Sequence, residues 1–255
     1  MPTRDRGQGG GSVAALALHR TDVDGAAVVR PTGRLDLTTY RELRDGLLKC
    51  AVDEPTAVIV RLDDGFECAT PAFMSVFTTV GLRVSEWPGV PVMLVGESPG
   101  HRRALEAGGA TGRVPRFTAL HAALAAVERP PERTRDETQL PDSLLSGLLA
   151  RHFVRETCQR LHVTHLVHDA VTVATELVEN AVRHARSAPV LRLELRGRRL
   201  TVAVRDESTD PPLEPKADPL RPGGWGLTIV SSLSRTWGCY PWPHGGKVVW
   251  AVLGD

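Results

Sequence analysis

Three short stretches in the C-terminal half carry residue types that do chemistry. The first is TELVENAVRHA, Thr175–Ala185. On a helix, its Glu176, Asn180 and His184 recur every four residues and share one side, with Leu177, Ala181 and Ala185 beside them on the face that can pack. A carboxylate and an amide one turn apart suit a magnesium ion, which takes few protein oxygens and leaves the rest to phosphate and water. The carboxylate could equally accept a proton from an attacking hydroxyl. The plain alternative is a solvated helix face with ordinary i,i+4 contacts. The second stretch is TVAVRD, which ends on Asp206. A carboxylate just past a buried strand can accept a hydrogen bond from an exocyclic amino group such as that of adenine, or it can simply start a turn. The third is Gly223-Gly224-Trp225-Gly226-Leu227, followed by the apolar Thr228-Ile229-Val230. Glycines before a helix let the backbone approach a phosphate, and the helix start supplies free N–H groups. The spacing is neither a dinucleotide fingerprint nor a P-loop, because it follows a proline-rich loop and no Gly-Lys-Ser/Thr occurs in it.

The elements around these stretches alternate in a definite order. Leu140-Pro141-Asp142-Ser143 can cap a helix over 143–160, and a second helix fits 165–186. Strands over Val190–Leu195 and Leu200–Arg205 flank a tight turn at Gly197-Arg198. A proline-rich loop over 207–222, a helix opening after Gly226, and strands over 236–242 and 247–253 complete the half. This order predicts helices covering one face of a mixed sheet.

The N-terminal half reads differently. A Gly-rich start, residues 1–12, is expected to be a flexible tail without a signal peptide. Strand-like runs occupy Val13–Leu18 and Ala26–Arg30, with a turn at Gly33–Asp36 and Thr38 or Thr39 capping a helix to about Cys50. Ala57–Leu62 is a short apolar run of the kind buried on both faces of a sheet, and Val90–Val95 is a further strand. Thr70-Pro71 opens a helix with Phe73, Val76, Phe77 and Val80 on one stripe, and further helices fit Gly100–Ala107 and Leu120–Val127. Between the halves, Glu128–Asp136 holds two prolines among seven charged or hydroxyl residues and reads as a linker. The expected division is tail 1–12, first domain 13–128, linker 129–137 and second domain 138–255. The fold class is α/β (α+β).

Composition narrows the function classes. The chain has 255 residues, and its 31 basic residues balance 30 acidic ones, so no global field draws it to nucleic acid or a membrane. No apolar run reaches the length of a membrane span. Cys50, Cys68, Cys158 and Cys239 form no CxxC pair, which argues against a zinc site or disulfide framework and for a reducing cytoplasm. His162, His165 and His168 fan around a helix rather than converging on a metal. Arg192, Arg196, Arg198 and Arg199 read as a solvated strand face, and Trp225, Trp237, Trp242 and Trp250 as core or interface aromatics.

The order of the three stretches resembles a known family. Residues 140–253 look like an anti-sigma regulatory kinase domain of the GHKL ATPase type, shared with histidine kinases and gyrase. TELVENAVRHA is similar to that family's N-box, VRDES to its first glycine box, GGWGLTIVSSLSRTWG to its second, and Gly246–Trp250 to its final strand. The resemblance implies ATP and Mg²⁺ as cofactors, with Asn180 on Mg²⁺, Glu176 as the general base, Asp206 on the adenine amino group, and Gly224, Gly226 and Leu227 on phosphate. The run Asp206-Glu207-Ser208-Thr209-Asp210 departs from the D-x-G-x-G that many of these proteins carry.

The stretch Val13–Val127 resembles a STAS domain, the fold of anti-sigma-factor antagonists, through GRLDLTTYRELRDGLL, AVIVRL and VMLVG…HRRALEAGG. That family's phosphorylated turn corresponds to Ala69-Thr70-Pro71-Ala72, where Thr70 is the one hydroxyl and is either a candidate phosphoacceptor or a helix cap. Together the resemblances imply a cytoplasmic regulator that phosphorylates a Ser or Thr of a STAS-type antagonist, sequesters a sigma factor, or both. A homodimer is implied by analogy, with no direct contact to nucleic acid or membrane. The competing reading is a non-catalytic binding module with a degenerate nucleotide site.

Overall fold

The computed structural model describes residues 16–108, 114–128, 133–185, 187–210 and 225–254. The tail at 1–12, the Pro130-Pro131 centre of the linker reading, and Gly224 lie outside these residues.

The apolar, β-branched runs of the first half become strands because only a doubly covered sheet buries them on both faces. The elements are β1 (Ala17–Val23), β2 (Ala26–Leu35), α1 (Tyr40–Val52), β3 (Val58–Leu62), β4 (Phe66–Cys68), α2 (Ser75–Glu86), β5 (Val92–Gly96), α3 (Pro99–Ala107), β6 (Arg116–Phe117) and α4 (Leu120–Ala125). The sheet order is β1-β2-β3-β5-β6, with β4 added beside β2. β1 is antiparallel to β2, and the remaining pairs are parallel.

Several expectations shift here. Of the strand expected over Val13–Leu18, Val13–Ala15 lie outside the described residues; Leu16 precedes the strand, which begins at Ala17 and runs on to Val23, where it pairs with β2. The turn expected at Gly33–Asp36 is instead strand as far as Leu35, because β4 pairs with Gly33–Leu35. Gly33 makes this passable, with φ of 98°. Neither Thr38 nor Thr39 caps α1 in the usual way. Asp36 Oδ1 accepts the Thr38 and Thr39 N–H groups, while the Thr39 hydroxyl donates to the Arg34 carbonyl. Pro71–Met74 forms a single 3₁₀ turn before α2, and Thr70 makes no side-chain capping bond to it. The capping reading of Thr70 is therefore set aside, and its residue is exposed.

The second half comprises β7 (Thr134–Gln139), α5 (Ser146–Arg160), α6 (Val167–Ala185), β8 (Val190–Arg196), β9 (Arg199–Asp206), α7 (Gly226–Leu233), β10 (Thr236–Pro241) and β11 (Lys247–Leu253). Its sheet runs β10-β11-β9-β8-β7. The mixed sheet expected for this half is instead antiparallel in every pairing. The linker reading also gives way at its C-terminal end: Thr134–Gln139 is an edge strand on β8, its charged side chains suiting an exposed edge. α5 starts at Ser146, later than 143.

The sheet of this half is covered on both sides. Leu200, Val202 and Val204 of β9 and Val249, Ala251 and Leu253 of β11 pack under α5, α6 and α7. The intervening Ala203, Val248, Trp250 and Val252 join Leu43, Leu47, Val84 and Trp87 of the first half in one continuous core. Period-two alternation thus sends one set of β11 side chains to each half of the molecule. Trp87, Tyr240 and Trp250 cluster at this junction with ring centroids 5.4 to 6.0 Å apart. Trp250 lies against its cross-strand partner Gly238, where a Cβ would come within 2.7 Å of the indole. The Tyr240 hydroxyl donates to the Arg83 carbonyl at 2.9 Å.

Of the arginines read as a solvated face, Arg192, Arg196 and Arg199 belong to the same junction, whereas Arg198 is exposed as expected. Glu54 of the first half takes ion pairs from Arg133, Arg135 and Arg192. Arg199 reaches Glu86. The guanidinium of Arg196 fills the space over Gly89. Among the tryptophans, Trp225 is exposed rather than core.

Candidate functional site

α6 has a strongly apolar face, and Leu177, Val178 and Ala181 bury it against the sheet. That seating leaves the opposite-edge residues Glu176, Asn180 and His184 facing a cavity of about 440 Å³. The same cavity is lined by Asp206 at the end of β9, by Gly226 and Leu227 at the start of α7, and by Lys247 at the start of β11. The residues singled out as Glu176, Asn180, Asp206, Gly226 and Leu227 therefore come together at one site. Gly224 lies outside the described residues.

Each side chain is held by a local cause. α7 comes so close to α6 that a Cβ on Gly226 would sit 2.7 Å from Glu176 Oε2 and 3.7 Å from Asn180 Nδ2. Only glycine lets the start of α7 press against these two side chains. At the floor, Asp206 is buried and Lys247 stands opposite it in the β9–β11 register. Lys247 Nζ donates to Asp206 Oδ1 at 2.9 Å and to the Ser208 carbonyl at 3.3 Å. The Ser208 N–H donates to the same Oδ1 at 2.8 Å. The turn that delivers Lys247 passes through Gly246 at φ of 82°, where a Cβ would meet the Asp206 carbonyl oxygen at 2.0 Å.

Burial pushes the Glu176 carboxyl above the usual carboxylate range. The nearby Glu179 charge adds to this, and Arg183 opposes it. A carboxylate made more basic and left without a hydrogen-bond partner among the described residues can accept a proton. Asn180 and Glu176 offer oxygens to a hydrated divalent cation, and no cluster of three metal-ligating side chains occurs among the described residues.

Sequence reasoning placed no role on Lys247 or Trp225, although both line the cavity. Lys247 is 41 residues from Asp206 and meets it only through strand pairing, so spacing along the chain carries no signal for the contact. Trp225 is adjacent to the glycines, but its residue type alone reads equally as a core or an interface aromatic.

Residues 144–252 match the sequence profile of the histidine kinase-like ATPase domain. This segment is a histidine kinase-like ATPase domain. No match is found among curated proteins. Among solved structures, an anti-sigma factor antagonist from Mycobacterium paratuberculosis is similar at 23% identity, covering 44% of this chain and 93% of that one, with a TM-score of 0.37. The RsbU and RsbW domains of a Mycobacterium tuberculosis protein are similar at 21% identity, covering 49% of this chain and 33% of that one, with a TM-score of 0.37. The Bacillus cell fate determinant SpoIIAA in its phosphorylated form is similar at 16% identity, covering 45% of this chain and all of that one (100%), with a TM-score of 0.31. The cavity lies wholly within the histidine kinase-like ATPase domain, between its α6, α7 and sheet. No helix among the described residues is long and apolar enough to cross a membrane.

Proposed function

We propose that the histidine kinase-like ATPase domain binds ATP with Mg²⁺ and transfers the γ-phosphoryl group to a Ser or Thr of a STAS-type antagonist protein. The observation that carries this reading is the convergence of Glu176, Asn180, Asp206 and Gly226 on one cavity from three separate elements, α6, β9 and α7. The residues present fit the cofactor. Asn180 has no hydrogen-bond partner among the described residues, and the approach at Gly226 is one that a Cβ would block. Mg²⁺, when bound, neutralises phosphate charge.

The chain's own residues then divide the work. Asp206 accepts a hydrogen bond from the adenine amino group. The N–H groups of Gly226 and Leu227, which no preceding helical turn can engage, face the phosphates. Asn180 holds the cation through its side-chain oxygen. Glu176 takes the proton of the attacking hydroxyl. Phosphoryl transfer needs positioning and charge neutralisation more than covalent chemistry from the protein, which suits so small a set of groups.

In the cell such a domain would also hold a sigma factor, and nucleotide would bias the choice between two mutually exclusive partners. The N-terminal half is proposed to be the STAS-like domain, with Thr70 as its candidate phosphoacceptor because the hydroxyl is exposed and uncommitted to capping. A non-catalytic binding module is the second reading, favoured by the run Asp206–Asp210, which lacks the glycines of the family pattern. Incubating the protein with γ-labelled ATP and a panel of antagonist proteins separates the two. Label on an antagonist Ser or Thr is the expected result. Sigma-factor binding without any transfer would leave only the binding module.

A further inference from the structure

We propose that Lys247 is a base-reading residue, pairing with Asp206 to recognise the amino-bearing edge of adenine. The proposal rests on the nucleotide-site reading above and adds a second, donor element to it.

Lys247 is buried, at 7% exposure, yet it lines the cavity. Desolvating an ammonium is costly, so a buried one must be held by partners. Its three donors can be counted. One goes to Asp206 Oδ1 and a second to the Ser208 carbonyl. The third has no partner among the described residues, and the side chain borders the cavity. Asp206 is similarly half used. Its Oδ1 accepts from both Lys247 and the Ser208 N–H, whereas Oδ2 has no partner among the described residues.

Among the described residues, the floor of the cavity therefore presents an unpaired acceptor, Oδ2, beside an unpaired donor on Nζ. Adenine offers the complement: an exocyclic N–H donor adjoining a ring nitrogen that only accepts. Guanine offers a carbonyl oxygen and two neighbouring N–H donors, and a carboxylate reads those two donors with both of its oxygens. Here Oδ1 is already occupied twice, so the two-oxygen grip on guanine is denied. The Lys247 contact thus acts in two ways, donating to the adenine ring and withholding the oxygen that guanine requires.

Calorimetric titration of the full chain with ATP, GTP, 1-deaza-ATP and 7-deaza-ATP, each with Mg²⁺, tests this. Each deaza analogue lacks one ring nitrogen beside the amino group. One of them is expected to bind roughly tenfold or more weakly than ATP, the usual loss when a charged donor is left unpaired. Lys247→Met should weaken ATP and erase that analogue's penalty, and it should narrow the gap between ATP and GTP. A merely structural lysine would lower affinity for every nucleotide by the same factor. If both deaza analogues bind the unaltered protein as tightly as ATP, the proposal fails without recourse to any variant. It fails equally if the penalty survives in Lys247→Met. Absence of ATP binding by the unaltered protein overturns the nucleotide-site reading and this one with it, whereas ATP binding with no analogue penalty overturns this one alone.

Discussion

Glu176 and Asn180 sit one helical turn apart, and their chemistry differs enough to be tested separately. Asn180→Ala removes an oxygen without disturbing the buried face of α6, so the fold should survive while Mg²⁺-dependent ATP binding is lost. Calorimetry with and without Mg²⁺ reads the change, and unchanged affinity would remove Asn180 from the site. Glu176 makes a prediction about pH. A base works when ionised, and burial together with the Glu179 charge raises the pH at which Glu176 ionises. Glu179→Gln withdraws one raising influence, so the acid limb of the transfer-rate profile should move to lower pH. Arg183→Gln withdraws the opposing influence and should move the same limb to higher pH. A limb indifferent to both variants would assign the proton acceptor elsewhere.

The elements bring these side chains together through two glycine contacts. At Gly226 a methyl group would strike the Glu176 carboxylate, so Gly226→Ala should displace either α7 or Glu176. Transfer should fall sharply with little loss of stability, since the obstructed atom is the end of a side chain. Rates and urea denaturation measured together would show this. Gly246 differs, because it combines a φ of 82° with a 2.0 Å approach to the Asp206 backbone. Gly246→Ala should cost about 1–3 kcal/mol of stability through backbone strain. It should also disturb the Lys247–Asp206 pair, visible as a lower urea midpoint together with weaker nucleotide binding.

Across the molecule, the first half packs on the face of the second half's sheet that lies away from α5, α6 and α7. The cavity is thus left open while the two halves share one core. Trp250→Ala would remove a buried indole from that shared core, and a loss of about 3–5 kcal/mol is expected for such a truncation. Because Trp250 touches Trp87 and Tyr240, protection from hydrogen exchange should fall in α2 of the first half as well as in β11. Exchange confined to β11 would mean that the halves unfold independently.

Much of this was readable along the chain. The helix carrying Glu176 and Asn180 was legible because its apolar face repeats at the helical period. The start of α7 was marked by Gly226, the two-sided burial of β3 by its unbroken apolar run, and β5 and β11 as strands by theirs. These are local signals, set by backbone geometry and the alternation of side chains. The strand at Thr134–Gln139 was hidden because its residues are those of a solvated linker, and it becomes a strand only by pairing with β8. Arg192, Arg196 and Arg199 looked solvated for the same reason, since alternation says which side of a strand a residue faces but not what covers that side. The Lys247–Asp206 pair was invisible altogether, because its partners meet only when β9 and β11 align. Local periodicity along the chain specifies the helices, the buried runs and the residues able to do chemistry. The pairing of distant strands and the packing of one half on the other bring them together, because those contacts depend on where the chain returns in space.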